Sequence, residues 1–313
     1  MIYSGKGLCI IIVLFEISLY PYVRSALPKV VGGIPAKEDE FPYVVSLQYT
    51  LPRKHFCGGI ILDVSHVLTA CHCCGMFRGQ RFDTIPPRKV VVVGGDVHLR
   101  KGQMRPVLRL TIHKKCGELA IGWTYDYCLV TLAQRFLYGT ALKSIPLVSP
   151  DIEQQKEIIY NFADKTDCWA VGWGQQTFNS SDDYENTSDV LIKLGVVVLP
   201  WKECETRLCF VPKTRCVLNL RERAQICAVG KTGDVCKGDS GGPIVCNGFV
   251  YGIVSWGPAC GELPFPSVFS VVSEGLQWPH DAWLTVLTNA NWVPGYSLSN
   301  ILLPLSIVYF QLY

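Results

Sequence analysis

The sequence predicts an all-β protein of one or two units, and three observations carry that reading. Short apolar runs recur between Gly, Pro and Asp turn signals, at Gly59 to Leu62, Val90 to Val93, Val107 to Ile112 and Leu129 to Leu132. The habit returns in the second half at Cys168 to Trp173, Val190 to Leu199, Pro243 to Val245 and Phe249 to Trp256. No long stretch keeps a helical period, and no fixed-period repeat is present. The 313 residues allow one large or two small units, and 49% hydrophobic with 18% charged residues is a globular composition. A net charge of +3 without a dense basic run gives no electrostatic basis for a nucleic-acid partner.

At the N-terminus, Lys6 precedes an apolar run from Leu8 to Leu19 that only Glu16 and Ser18 interrupt, and the small residues Ser25 and Ala26 follow. This is the pattern of a secretory signal peptide over residues 1–25. A short membrane anchor is the alternative, although the run is short for a span. Fifteen cysteines are present, and removal of the signal with Cys9 leaves an even fourteen, as a fully paired framework needs. Secretion turns such cysteines toward disulfides rather than metal or redox chemistry. Glu40 to Gln48 then opens the strand-rich region.

Three stretches carry chemistry. In Gly238-Asp239-Ser240-Gly241-Gly242-Pro243, glycines let the backbone turn sharply, bare the serine hydroxyl and aim the N–H groups of Gly238 and Ser240 at one point. A serine needs a base, and the base needs an orienter. Leu68-Thr69-Ala70-Cys71-His72-Cys73 and Tyr125-Asp126-Tyr127-Cys128-Leu129 offer both. Taken singly, each has an ordinary reading as a Gly-Ser turn, a structural histidine or a turn aspartate. Together, TACHC, DYCL and an intact GDSGGP, in the order His, Asp, Ser, resemble the chymotrypsin/trypsin family of serine proteases. The resemblance runs from Val30 to the Leu284 region and leaves both ends outside it.

The resemblance implies two antiparallel six-stranded β-barrels with the active site in the cleft between them, and a C-terminal helix, here near Asp281 to Thr288. It implies a catalytic triad of His72 as base, Asp126 as its orienter and Ser240 as nucleophile, with Gly238 and Ser240 as the oxyanion hole and no cofactor. Residues 26–29 become an activation propeptide: cleavage after Lys29 would free the α-amino group of Val30 to insert beside Asp239. Asp234, six residues before the nucleophile, would form the base of a pocket for Lys or Arg. Ser255-Trp256-Gly257 would pair with the extended substrate, with Gly257 leaving the pocket mouth open. Two residues depart from the trypsin pattern. Ser267 stands where a second pocket glycine is usual and is expected to crowd a long basic side chain, and Val235 replaces a residue that is often serine. A shallower pocket with altered preference is the competing expectation. Lys237 at the rim reads either as a selector of acidic residues near the cleaved bond or as a solvated lysine.

The resemblance also carries four disulfides: Cys57–Cys73, Cys168–Cys246, Cys204–Cys227 and Cys236–Cys260. Of the six cysteines left, Cys209 and Cys216 are close in sequence and are expected to pair. Cys71 abuts His72 and Cys128 lies just past Asp126, which suggests a bond between them and leaves Cys74 with Cys116. A zinc site at Cys71-His72-Cys73-Cys74 lacks a second ligand pair at usual spacing, so no metal is expected.

Asn179-Ser180-Ser181 and Asn186-Thr187-Ser188 are glycosylation sequons in a polar stretch that reads as an exposed loop. The expected organisation is a signal over 1–25, a propeptide over 26–29, a protease domain over 30–288, and a spacer with a hydrophobic tail over 289–313. The tail, nearly all apolar from Ile301 to Leu312 but interrupted by Pro304, resembles a GPI-attachment signal, with a self-packing terminus as the alternative. The expected function is a secreted or membrane-tethered serine endopeptidase that cleaves after Lys or Arg. Its expected partners are protein substrates, an activating trypsin-like protease and protein inhibitors. The alternatives are a pseudoprotease that binds rather than cleaves, and a structural cell-surface protein.

Overall fold

The computed structural model describes residues 33–149, 151–161, 168–176, 186–209, 218–258, 260 and 265–278. Lys29, Val30, Asn179, Cys216, the segment 281–288 and the tail lie outside these residues. Twelve strands within them close into two antiparallel barrels of six. The first holds β1 (Val44–Thr50), β2 (Arg53–Asp63), β3 (His66–Thr69), β4 (Val90–Gly94), β5 (Gln103–Ile112) and β6 (Cys128–Leu132). The second holds β7 (Cys168–Gly172), β8 (Ile192–Val198), β9 (Gln225–Gly230), β10 (Pro243–Cys246), β11 (Phe249–Trp256) and β12 (Ser267–Val271).

Both barrels are wound the same way. Around the first, neighbours run β1-β2-β3-β6-β5-β4 and back to β1. Around the second they run β7-β8-β9-β12-β11-β10 and back to β7. Each order is the other displaced by six strands. Closure leaves no open sheet edge inside either barrel. Ile34–Pro35 adds one short pairing on the outside of β8.

The apolar runs on β2, β3, β4 and β6 are continuous because these strands are buried on both faces, whereas β5 is largely exposed and β8 alternates. Along β2, β3 and β6, Ile61, Val67 and Val130 fill the first barrel with Leu47 and Val92. Their neighbours Ile60, Leu68 and Leu129 face outward and join Ile244, Val254 and Phe269 in one core. The two barrels therefore share a hydrophobic interface, and the cleft lies along it. Several hydrogen bonds cross it, among them Trp173 Nε1 donating to the Val97 carbonyl at 2.9 Å and Tyr127 Oη to that of Val271 at 2.7 Å.

Among the described residues, three α-helices flank the barrels: α1 (Ile152–Asn161), α2 (Trp201–Cys209) and α3 (Val272–Leu276). α1 and α2, ten and nine residues long, are too short to show as a sustained helical period. α3 continues directly from β12; the helix expected at Asp281 to Thr288 lies outside the described residues. It is tied to α1 by an ion pair of Lys156 with Glu274 at 2.5 Å.

The structure joins Cys57 to Cys73, Cys168 to Cys246, Cys204 to Cys227 and Cys236 to Cys260. It corrects the two pairings next to the triad. Cys71 is bonded to Cys116 and Cys74 to Cys128. Residues 71–73 form a 3₁₀ turn, so Cys71 and Cys74 lie one turn apart along it and meet different partners. Cys74 meets the first residue of β6, while Cys71 meets the turn that follows β5, where Cys116 N–H bonds the His113 carbonyl. Closeness in sequence to the triad does not give this direction. Peptide mapping of the unreduced protein should recover Cys71 cross-linked to Cys116 and Cys74 to Cys128; a Cys71–Cys128 peptide would contradict the turn geometry.

Candidate active site

Asp126 sits where β6 begins, just after Tyr125, whose φ of 44° is in the left-handed region. A bulky residue rarely adopts that conformation, and here it turns the chain so that the next side chain enters the interior. Asp126 is fully buried. Its Oδ1 accepts from the His72 backbone N–H at 3.1 Å, and its Oδ2 accepts from His72 Nδ1 at 2.8 Å and Ser255 Oγ at 2.6 Å. A buried carboxylate is tolerable only with such partners. Burial by itself would lower the His72 imidazole, but the Asp126 charge and hydrogen bond outweigh it and hold His72 above its ordinary 6.5. The Nδ1 bond leaves Nε2 as the ring nitrogen available for chemistry. Trp123 lies against the imidazole at 5.5 Å between centroids.

Ser255 owes its aim to a β-bulge: the β11–β12 register shifts between Val254 and Trp256. The sequence reading assigned Ser255 to substrate pairing only. Its hydroxyl also anchors Asp126, so the second barrel holds the carboxylate of the first.

Ser240 lies in the turn before β10. Its carbonyl accepts from Gly58 N–H at 2.7 Å, and Cys73 Sγ, next to His72, is 3.7 Å from that same oxygen. The structure thus brings Ser240 against the His72 turn. Gly238 has φ +99°, which a side chain would oppose. Among the described residues, neither the Gly238 nor the Ser240 N–H donates to a protein acceptor.

One residue of this site has no sequence signal. His55, buried on β2, links two parts of the molecule: Nδ1 bonds Ser46 Oγ at 2.8 Å and Nε2 bonds the Gly238 carbonyl at 2.9 Å. Burial pushes its pKa down to about 4, so the ring is neutral at pH 7. A carbonyl only accepts, so Nε2 carries the proton and Nδ1 accepts from Ser46, whose oxygen accepts in turn from Gln48 Nε2 at 3.0 Å. The chain Gln48–Ser46–His55 fixes the Gly238 peptide from the first barrel. A lone histidine in an apolar strand reads as structural, and only its partner shows otherwise.

Asp239 points away from the cleft, into the second barrel. Oδ1 accepts from Gly174 N–H at 2.8 Å and Oδ2 from Cys236 N–H at 2.9 Å. A Cβ on Gly172 or Gly174 would come within 2.3 Å of this carboxylate, so the two glycines make its space. Burial, with the Asp234 charge adding to it, raises the Asp239 pKa from 3.8 to about 6 despite those two backbone bonds. Among the described residues no cation pairs with it.

Beside Ser240 a pocket of about 150 Å³ is lined by Asp234, Lys237, Ser255, Trp256, Gly257 and Ser267. Asp234 and Ser267 are both buried, and Ser267 Oγ donates to Asp234 Oδ1 at 2.6 Å. A Cβ on Gly257 would stand 3.3 Å from the same hydroxyl, so Ser267 faces the Gly257 wall. Sulfur and acid groups come together at Cys57, His72 and Cys73, and at Cys71, Cys116 and Asp126, but these sulfurs are held in disulfides and are not thiolate ligands. Asn186, the sequon residue within the described chain, is exposed in a turn with φ 70°.

Comparison with known proteins agrees with this geometry. Residues 30–278 match the trypsin family. The chain is 31% identical over 250 residues to hypodermin-B of Hypoderma lineatum, covering 80% of this chain and 86% of that protein. It is 31% identical over 253 residues to trypsin 5G1 of Aedes aegypti, covering 80% and 83%. It is 29% identical over 262 residues to transmembrane protease serine 5 of Homo sapiens, covering 82% of this chain and 52% of that one.

The raised Asp239 pKa fixes a sign. Its stabilising contribution is present below pH 3.8 and is lost as pH rises through about 6. Asp239→Asn removes that titration. From about pH 3.5 to pH 7, the unfolding free energy of the uncleaved variant, relative to the uncleaved parent, should rise by about 3 kcal/mol. Urea titrations at the two pH values measure it, and a difference independent of pH would contradict the assignment.

Proposed function

We infer, because this chain belongs to the trypsin family of serine proteases, that it is a serine endopeptidase made as a zymogen. The observation that carries this reading is the buried Asp126 carboxylate, bonded to His72 from one barrel and to Ser255 from the other. Such a carboxylate holds the imidazole in one tautomer and stabilises the imidazolium. Ser240 attacks the substrate carbonyl while His72 Nε2 takes its proton. The tetrahedral oxyanion receives the N–H groups of Gly238 and Ser240. His72 then protonates the leaving amine, and water activated at His72 hydrolyses the acyl group on Ser240.

Activation is cleavage after Lys29. The Val30 ammonium would then pair with Asp239, whose burial without a cation supports the reading. The Ile34–Pro35 pairing on β8 leads this end of the chain toward Ile192, which lines one cavity together with Asp239. With that cation in place the carboxylate stays charged and fixes the Gly238–Ser240 turn.

Asp234 supports cleavage after Lys or Arg. Ser267 shortens the pocket, but its oxygen keeps a lone pair beside the carboxylate and adds an acceptor for a basic group. The leader over residues 1–25 directs secretion, Asn179 and Asn186 carry glycans, and the tail over residues 289–313 attaches the protein to a membrane as a GPI signal. The substrates are proteins, the activator is a trypsin-like protease, and protein inhibitors are the natural antagonists.

The test is expression with an engineered activation site in place of Leu27 to Lys29, followed by profiling on a peptide library. Cleavage after Lys or Arg is expected, with Ser240→Ala reducing kcat/KM by about 10⁴-fold or more. Cleavage after small residues instead would keep the mechanism and overturn the specificity. No cleavage, with no serine-reactive phosphonate adduct on Ser240, would make the chain a pseudoprotease. The His72 base must be neutral to act, and Asp126 raises its pKa. The acid limb of kcat/KM should therefore have its midpoint above 6.5, read from a pH–rate profile.

A further inference from the structure

Three neighbouring strands of the first barrel concentrate the positive charge of the chain. The stretches 84–95, 97–117 and 127–149 hold ten Lys and Arg and no Asp or Glu, whereas the whole chain carries a net charge of only +3. They contain β4, β5 and β6, which lie side by side in the barrel. No dense basic run shows in the sequence because the cations are spread over three segments, and barrel closure gathers them.

The centre of this region is the outer face of β5. Val107, Leu110 and Ile112 pack with the core of the first barrel. Met104, Pro106, Leu108 and Arg109 are exposed, with Met104 at 49% and Leu108 at 63%. Val91 faces Pro106 in register, so Arg88 and Lys89, in the 3₁₀ turn Pro87–Lys89 that leads into β4, lie beside Leu108 and Arg109. At the other end, the turn from β4 to β5 carries Arg100 and Lys101. Leu137, 71% exposed, is held there by two bonds: its N–H donates to Gln103 Oε1 at 2.9 Å, and Gln103 Nε2 donates to its carbonyl at 2.7 Å.

The charge of this face is not neutralised from within. Among the described residues, none of Arg88, Lys89, Arg100, Lys101 and Arg109 forms an ion pair with an acidic residue. The neighbouring acids are engaged elsewhere. Asp96 accepts from His98 N–H at 2.8 Å and contacts His98 Nδ1 at 2.9 Å, Asp63 pairs with His66 at 2.9 Å, and Asp83 pairs with Arg78 and Arg81.

Two features specify what this face accepts. Uncompensated cations attract carboxylates, and exposed Met104, Leu108 and Leu137 among them offer contact to apolar side chains. A sulfated polysaccharide or a nucleic-acid backbone supplies the charge without the apolar groups. β5 has both of its neighbours inside the closed barrel, so a partner cannot add a strand and is held through side chains. We propose that the outer face of β5 docks an acidic protein segment that carries apolar residues among its carboxylates. The face shares no residue with the pocket beside Ser240, so this docking does not depend on the endopeptidase reading.

The full chain is titrated into a fluorescein-labelled peptide of roughly ten residues that alternates Glu with Leu and Phe, long enough at about 3.3 Å per residue to follow β5. Saturable binding by fluorescence anisotropy is expected. It should weaken about tenfold or more in Arg100→Glu with Arg109→Glu, and about fivefold in Leu108→Ser with Leu137→Ser. Raising NaCl from about 50 to 300 mM should weaken it several-fold. The substituted positions are exposed, and unchanged thermal melting of each variant shows that the fold is intact. Absence of binding overturns the inference, and so does binding that the charge-reversed variant retains. A heparin fragment or a Glu–Ser peptide bound as tightly as the Glu–Leu–Phe peptide also overturns it, since the face would then be a general polyanion site.

Discussion

A carboxylate with no access to water, Asp126, sets the terms for the rest of the molecule. Moving a charge from water into a protein interior costs several kcal/mol unless donors replace the lost hydration. Here those donors come from two directions: the His72 turn of the first barrel and the Ser255 bulge of the second. Neither barrel alone satisfies the group, so the bond network holds the barrels to one relative placement. The shared apolar core of Ile60, Leu68 and Leu129 with Ile244 and Phe269 supplies the area that makes this placement stable. Tyr127, the next residue, carries the same logic outward with its hydrogen bond to the Val271 carbonyl.

A second buried carboxylate is treated in the opposite way. Asp239 has two backbone donors and space between glycines, yet burial with Asp234 nearby raises its pKa toward neutrality. Asp126 is settled within the chain as it stands, whereas Asp239 has a use for one more positive charge. The turn between them carries Ser240, with its Gly238 end pinned by His55 from the first barrel. Asp126 and the Gly238–Ser240 turn are thus each held by a residue of the opposite barrel, through hydrogen bonds running across the cleft.

The first barrel is stiffened where it borders the cleft. The disulfides of Cys71 and Cys74 leave the same 3₁₀ turn for different places, the loop after β5 and the start of β6. Between them His72 has little freedom, and so does the hairpin of Gly75–Arg78 and Arg81–Thr84 that follows it. The stack from Phe82 through Phe77 and Trp123 to His72 extends that stiffness to the hairpin. Side-chain packing and covalent links act together there.

Much of this was legible in the residues. Gly238 to Pro243, the TACHC stretch and Asp126 are local signatures, because a bared serine, its base and its orienter need particular side chains beside particular turns. The strands around Val90 and Phe249 could be read because an apolar run between turn residues has few other uses. The common winding of the barrels left no trace as a repeat, since it lies in backbone pairing, which many side chains satisfy. The two short helices were hidden for want of length. Chemistry that depends on residue type was therefore determined by the sequence alone. Tertiary structure decided whatever depends on direction: which way Cys71 and Cys74 point, what His55 reaches, and which barrel supplies the third donor to Asp126. The physical reason is that a side chain's identity is local, while its partner is set by how a turn rotates it and where a closed barrel brings a distant strand.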